Sequence, residues 1–394
     1  MVTAVSFFVA LGFGLIIPAI PIFAKSFGVS NAAIGLVVSM FAITRLASGL
    51  ISGKLVDRFG ERLTLGSGLF MVAFFVFLSG LAQSYEQLLF LRAAGGLGSS
   101  MFSVASGSLI LRVASDSQRA RAQSVFNGGF LVGSIAGPAF GGALIAFSPR
   151  APFFIYAVTL SIAGSIGLFY LHEARFGTKT ENDDSQPATK MFEALKIRPF
   201  RYALIMTFLS TWVLFGVRSS ILPLFVTEEL NGTTTIVGFG FTLSALAQGL
   251  ILIRAGRFSD NSGRRAALLI GFTMISIGLG FLIFATTTWM FLLSMIVLGF
   301  GGAFLSTTPA SMVGDVIKGR GGKVIAIFQM AGDAGMIFGP IIIGWISDVY
   351  SYRAAFGFSA AIFAIALALV YQIPETRNVE GPQVNNLKPL DEDL

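Results

Sequence analysis

The chain has 394 residues, of which 54% are hydrophobic and only 12% charged, with a mean hydropathy of +0.80. A soluble domain carries about a quarter charged residues, so the solvent of this chain is mainly a lipid bilayer. It has no cysteine, which excludes disulfide frameworks, thiolate metal sites and cysteine nucleophiles; its net charge of +7 comes without a basic run interleaved with aromatics, so no nucleic-acid partner is expected.

A helix that crosses the hydrocarbon needs about 20 mostly apolar residues. Twelve such spans follow one another, at roughly 4–25, 32–53, 64–83, 88–112, 122–147, 152–171, 201–226, 236–255, 266–285, 289–313, 324–347 and 353–373. The first runs on to about Phe27 without a small-residue cleavage site, so no removable signal peptide is expected. The pattern predicts an all-α membrane protein built as two six-helix bundles, 1–171 and 201–373, joined by a polar linker, 172–200, and followed by a polar tail, 374–394. The linker includes one short amphipathic stretch near Met191–Ile197, and its His172, the lone histidine, reads as an interfacial residue rather than a ligand.

Charge sets the orientation. With the N-terminus in the cytoplasm, the even-numbered connections and the tail hold 21 of the 27 Lys and Arg. The other side holds Lys25, Arg150, Arg218 and Arg353, while Arg45 and Arg92 lie within spans. This asymmetry is the positive-inside rule, and it places both termini in the cytoplasm.

The two halves repeat. Gly53 and Gly256 lie 203 positions apart, as do Gly96 and Gly299, Gly98 and Gly301, and Arg150 and Arg353. "VFNGGFLVGSIAGPAFGG" from Val125 echoes "IFQMAGDAGMIFGPIIIG" from Ile327 at an offset of 202. A parallel six-plus-six repeat points to a secondary transporter with its site between the halves near the midplane.

Four motifs carry a resemblance to the major facilitator superfamily over nearly the whole chain. "GKLVDRFGER" is similar to that family's signature between spans 2 and 3 through Gly53, Leu55, Asp57, Arg58, Gly60 and Arg62, with Glu61 where a base is usual. "GRFSDNSGRR" is a weaker second copy, keeping Gly256, Asp260, Gly263, Arg264 and Arg265. "RAAGGLGSS" resembles the fourth-helix signature through Arg92, Gly96 and Gly98. "GSIAGPAFGG" resembles the fifth-helix signature of proton-coupled drug exporters through Gly133, Gly137, Pro138, Gly141 and Gly142.

The resemblance makes span 2 a neighbour of span 11 and span 5 a neighbour of span 8. It implies that Asp57 latches the N-terminus of span 11 near Lys323–Val324, where the helix dipole favours an acid, that Arg58 reaches Asp116, and that "GRFSDNSGRR" does the mirror task against span 5. In span 5, small residues at i and i+4 admit a close neighbour and Pro138 bends the helix; by repeat, Gly335, Gly339, Pro340 and Gly344 act alike in span 11.

Charges inside the bilayer cost several kcal/mol unless paired or hydrated. Arg45 lies eight residues before Gly53, and Asp333 ten after Lys323, so both sit about 12–15 Å from the same face at 1.5 Å per residue. With spans 2 and 11 adjacent, they are expected to form an ion pair between the halves, acting as a strut or as a switch released by protonation of Asp333 or by substrate. Spans 5 and 8 offer Asn127 and Gln248; Gln248 is the repeat partner of Arg45. Arg92 is expected about one turn into span 4, either as the proton-assisting arginine that the resemblance implies or snorkelling to the interface. Arg218 reads as interfacial, and Phe208, Trp212 and Phe215 read as packing or as a pocket wall.

The first span contains no acid, and a cavity of Arg, amides and Phe suits neutral, amphipathic or anionic cargo better than multivalent cations. The expected function is proton-coupled export of amphipathic small molecules by alternating access, without a cofactor or metal, by a monomer in a bacterial cytoplasmic membrane. A metabolite or sugar porter, for which "PETR" after span 12 offers a faint likeness, and a lipid flippase are the alternatives. No H-E-x-x-H, G-x-S-x-G or P-loop supports a membrane enzyme, and no soluble domain supports a receptor.

Overall fold

In a computed structural model, residues 2–111, 116–170, 191–316, 322–373 and 375–376 are described; at 2, 110–111, 116–127, 170, 191–192, 316, 322–323 and 325 this extends to the backbone alone. Among the described residues, eleven helical stretches are long and apolar enough to cross a membrane, and Asn31–Ala47 is a shorter apolar helix.

The first half comprises α1 (Val2–Ile16), α2 (Ala19–Lys25), α3 (Asn31–Ala47), α4 (Gly49–Leu81), α5 (Tyr85–Leu111), α6 (Asp116–Phe147) and α7 (Ala151–Tyr170). Pro18 separates α1 from α2, which together make the first crossing. The second crossing is α3 continued into the start of α4. It does not end at Gly53 as expected; helix continues to a sharp turn at Gly60, where φ is +80° and ψ 166°. That backbone is open to glycine and strained for any residue with a Cβ, so one glycine separates the second crossing from the third.

A short helix, α8 (Met191–Lys196), stands at the expected amphipathic stretch before the second half. Its seventh crossing is composite: α9 (Arg198–Thr211), a π-helix (Trp212–Ile221) and α10 (Leu222–Glu228). α11 (Thr234–Ser262), α12 (Arg264–Ile283), α13 (Thr288–Val316), α14 (Gly322–Val349) and α15 (Tyr352–Val370) complete it. Gly263, with φ of +103°, separates α11 from α12 as Gly60 divides α4.

The internal repeat is visible in individual contacts. A Cβ on Gly96 would stand 2.5 Å from the carbonyl oxygen of Phe41, and one on Gly299 would stand 2.2 Å from that of Ser244. Gly98 packs on the Gly68 carbonyl as Gly301 packs on that of Gly271. Arg150 donates to the Ala82 carbonyl at 3.1 Å, and Arg353 donates to that of Ala285 at 3.2 Å. Lipid offers no hydrophobic drive for helix association, so such close backbone packing carries it instead. Gly96→Ala and Gly299→Ala are each expected to cost about 1–3 kcal/mol by overpacking and to lower the melting temperature of the detergent-solubilised protein. Gly107→Ala, with open space around the new methyl, is expected to leave it unchanged or higher.

Candidate functional site

The halves meet along two seams, α3 with α14 and α6 with α11. A Cβ at Gly35 would stand 2.1 Å from the Pro340 carbonyl oxygen, and its repeat partner Gly238 meets that of Pro138 at 2.4 Å. Likewise Gly344 closes on the backbone of Asn31, and Gly142 on that of Thr234 and Gly238. Ser39 donates to the Ile337 carbonyl at 2.6 Å, tying α3 to α14 one turn further in. Both seams are therefore shut at the end of the molecule away from the glycine turns Gly60 and Gly263.

Polar contacts reinforce this closed end. The first two amides of α3, Asn31 N–H and Ala32 N–H, each donate at 2.8 Å to the carboxylate of Asp348 on α14. The Asn31 side chain donates to Ser347 at 3.1 Å, and Lys25 lies 3.6 Å from Glu228. An acid at a helix N-terminus is favoured by the dipole and by the unsatisfied amides there. Sequence reasoning missed Asp348, whose only signal was its place at the end of a span.

Further in, the structure brings together Arg45 of α3 and Asp333 of α14 in an ion pair with a hydrogen bond from an Arg45 terminal nitrogen. The side chains are 28% and 18% exposed, so the pair is desolvated enough for each charge to need the other. The apolar side chains Phe41, Ala42, Met336 and Ile337 pack as a cluster in the same stretch of α3 and α14, joined by Phe215 from the π-helix. Among the described residues, no hydrogen bond or ion pair joins the halves beyond this point toward the glycine turns. Gly49, Gly53, Gly128 and Gly256 there have open space around them.

Phe215 also lines a cavity of about 370 Å³ between the halves. Phe13, Gly14 and Ile17 of the first crossing and Phe130, Leu131, Ser134 and Pro138 of α6 form one wall. The π-helix, α11 and α13 form the other, with Arg218, Phe241, Gln248, Ser306 and Thr307 among its residues. This volume lies within the range of small-molecule sites, as does the mainly apolar wall with a few convergent polar groups.

Two arginines stand elsewhere than expected. Arg92 lies about two turns into α5, which begins at Tyr85 rather than near 88, and is 4% exposed over the ring of Phe41 at 4.6 Å. Its buried position rules out snorkelling. Arg218 is not interfacial; it opens onto the cavity from the π-helical stretch of the seventh crossing. Of the three aromatics on that crossing, Trp212 is packing, donating to Ser359 at 3.2 Å. Phe208 stacks on it, and Phe215 is the one that reaches the cavity.

The loop motifs also differ from expectation. Asp57 and Arg58 are exposed, and among the described residues Asp57 makes no hydrogen bond or ion pair with α14 or any other element; the seam is open at that end. Arg62 instead donates to the Leu168 carbonyl on α7. In the second copy, Asp260 pairs with Arg264 one turn on, while the side chains at the start of span 5 lie outside the described residues. Arg264 also binds Asp315 at 2.9 Å, and Glu375 accepts from the backbone amides of Arg264 and Arg265. Asp116 and Asn127 sit on α6, but their side chains lie outside the described residues. In α6, Gly133, Gly137 and Gly141 receive successive carbonyls of α1, from Phe7, Leu11 and Leu15, at 2.4–2.5 Å from where a Cβ would stand. The glycines Gly133, Gly137 and Gly141 thus seat α1 along three turns, while Pro138 and Gly142 meet α11 of the other half.

The chain matches the model of the Major Facilitator Superfamily over residues 2–225 and again over 207–390. It is 26% identical over 369 residues to an MFS-type transporter of Methanocaldococcus jannaschii, covering 93% of this chain and 95% of that protein. It is 27% identical over 377 residues to Multidrug resistance protein 1 of Bacillus subtilis, covering 93% and 94%. In fold it is similar to a bacterial homologue of the human lysosomal transporter Spinster, with a TM-score of 0.80 and 14% identity over 94% of this chain and 95% of that one.

Asp348→Asn is expected to weaken the closed end by about 1–2 kcal/mol, shifting its open-to-closed ratio roughly five- to thirtyfold. The natural chain has no cysteine, so spin labels on cysteines introduced at Ser30 and Tyr350 report this directly. A longer-distance population should grow in Asp348→Asn and not in Asp57→Asn.

Proposed function

This chain belongs to the Major Facilitator Superfamily, a family of transporters, and on that premise we propose that it exports amphipathic small molecules in exchange for protons by alternating access. It is an integral membrane protein whose relatives handle small molecules. The excess of Lys and Arg in the even-numbered connections and tail places the glycine turns in the cytoplasm. On that orientation the shut end faces out, and the structure is the inward-open state.

The observation that carries the reading is the Arg45–Asp333 pair. It joins the two moving halves next to the cavity, and it joins them through a group that can take up a proton. Protonating Asp333 removes one of two charges that stabilise each other in a poorly hydrated seam, leaves Arg45 unpaired and frees the halves to rock. Arg92, buried beneath the same stretch of α3 against Phe41, is the second candidate for proton movement. In the outward-open state the cytoplasmic ends would meet, and Asp57 would take the N-terminus of α14 as Asp348 takes that of α3 in the inward-open one. Export is supported by the multidrug resistance relative and by the mainly apolar, aromatic cavity wall.

The test is flux of a fluorescent amphiphile in proteoliposomes under an imposed pH gradient. Wild type should accumulate it against its own gradient. Asp333→Asn should lose at least about tenfold of this driven flux while keeping exchange between equal concentrations. Driven flux that persists in Asp333→Asn would remove the pair from coupling.

A further inference from the structure

We propose that the cavity receives an anionic amphiphile, a carboxylate or sulfonate on an apolar body, with Arg218 as its counter-ion. This rests on the reading of the cavity as the transport site and narrows it to one class of cargo.

Arg218 is the sole charged residue among the described residues that line the cavity. Its Nε is buried without a hydrogen-bond partner, and no described carboxylate pairs with it. Arg45 is answered by Asp333, Arg264 by Asp315 and Asp260, and Arg150 and Arg353 by backbone carbonyls; Arg92 shares the unpartnered Nε, but it lies over the Phe41 ring and does not line this cavity. Arg218 has the ring of Phe241, at 5.5 Å. A cation over a ring gains less than an unpaired charge loses in the bilayer interior. The deficit is removed when an anion enters.

The backbone is built to hold it there. Arg218 lies in the ten-residue π-helix of Trp212–Ile221, and Pro223 just beyond has no N–H to return to the widened turn. Single π-turns inside helices recur at functional sites.

The other polar groups of the wall divide by chemistry. The hydroxyls of Ser134, Ser219, Ser306 and Thr307 donate to backbone carbonyls of their own helices at 2.8–3.2 Å. Gln248 makes no hydrogen bond among the described residues, and it lines both this cavity and a smaller annex of about 80 Å³ together with Arg218. The uncommitted donors are thus the N–H groups of one guanidinium and one amide, both on the wall of the cavity and of its annex. A planar guanidinium matches a carboxylate through two parallel hydrogen bonds, and Phe13, Phe130 and Phe241 accept the apolar body. A cationic cargo would meet the charge of Arg218 and no acid on the wall.

The test uses the full chain in phosphatidylcholine nanodiscs and three probes with one apolar body: 2-naphthylacetate, 2-naphthylacetamide and 2-(2-naphthyl)ethylammonium. Wild type is expected to bind the carboxylate at least about tenfold more tightly than the other two. Arg218→Gln should bring all three within about threefold, and Arg218→Lys should retain the order at lower affinity. A preference for the ammonium, or an unchanged carboxylate preference in Arg218→Gln, would overturn the assignment. Ala245→Trp, which fills the cavity, separates the two readings. If it abolishes binding of every probe while Arg218→Gln changes nothing, the site stands and the anion assignment fails. If it leaves binding intact, the cavity is not the site and both fail. Adding phosphatidylglycerol identifies the source of the anion. Displacement of naphthylacetate that depends on Arg218 assigns the anion to a lipid headgroup, and indifference assigns it to a free solute.

Discussion

A charge in a lipid-solvated protein must be answered by another group, and the architecture depends on where those answers fall. Arg45 on α3 is answered by Asp333 on α14, across the seam between the halves. Neither half can satisfy its own charge there, so the pair fixes how far the helices approach at that depth. On one side of it the seam is shut by glycines against carbonyls, Gly35 on Pro340 and Gly344 on Asn31. On the other, Gly49 and Gly53 meet nothing. The ion pair thus stands where contact between α3 and α14 gives way to separation.

The same two helices carry a reciprocal arrangement of acids. They run antiparallel, so the N-terminus of each lies near the C-terminal end of the crossing containing the other. At the shut end, Asp348 after the core of α14 takes the first amides of α3. At the open end, Asp57 follows α3 and stands exposed, in sequence position to do the same for α14. One physical device, a carboxylate on a helix N-terminus, is therefore available at either end. The geometry allows the halves to rock, with one latch made as the other breaks.

Much of this was legible in the sequence because charge is scarce in it. With so few charged residues inside spans, depth counting brought Arg45 and Asp333 to one level, and the 203-residue offset paired Gly96 with Gly299, Gly98 with Gly301 and Arg150 with Arg353, which make matching contacts in the two halves. Depth counting failed where helices depart from uniform rise or from their apolar boundaries. Arg218 was misplaced because a π-helix redirects it, and Arg92 because α5 begins in the polar residues Tyr85 and Glu86 that apolarity excluded. Asp260 was read by analogy with Asp57, yet Arg264, where the first copy has Glu61, claims it within one turn. Asp348 gave no pattern at all, since a single acid at the end of a span does not show which helix end it meets. Nor does the sequence state which end is shut, because one chain must serve both states.

The central claim is that Asp333, by holding Arg45, sets the balance between the two states. The most direct measurement is the distance distribution between spin labels at the Gly60 turn of α4 and at the N-terminal end of α14, recorded as pH is lowered, in wild type and in Asp333→Asn. In the proposed scheme the pair belongs to the inward-open state, so protonation should deplete that state: wild type should lose the long-distance population as pH falls, and Asp333→Asn should show the depleted distribution at every pH. An identical pH response in both proteins would contradict the account.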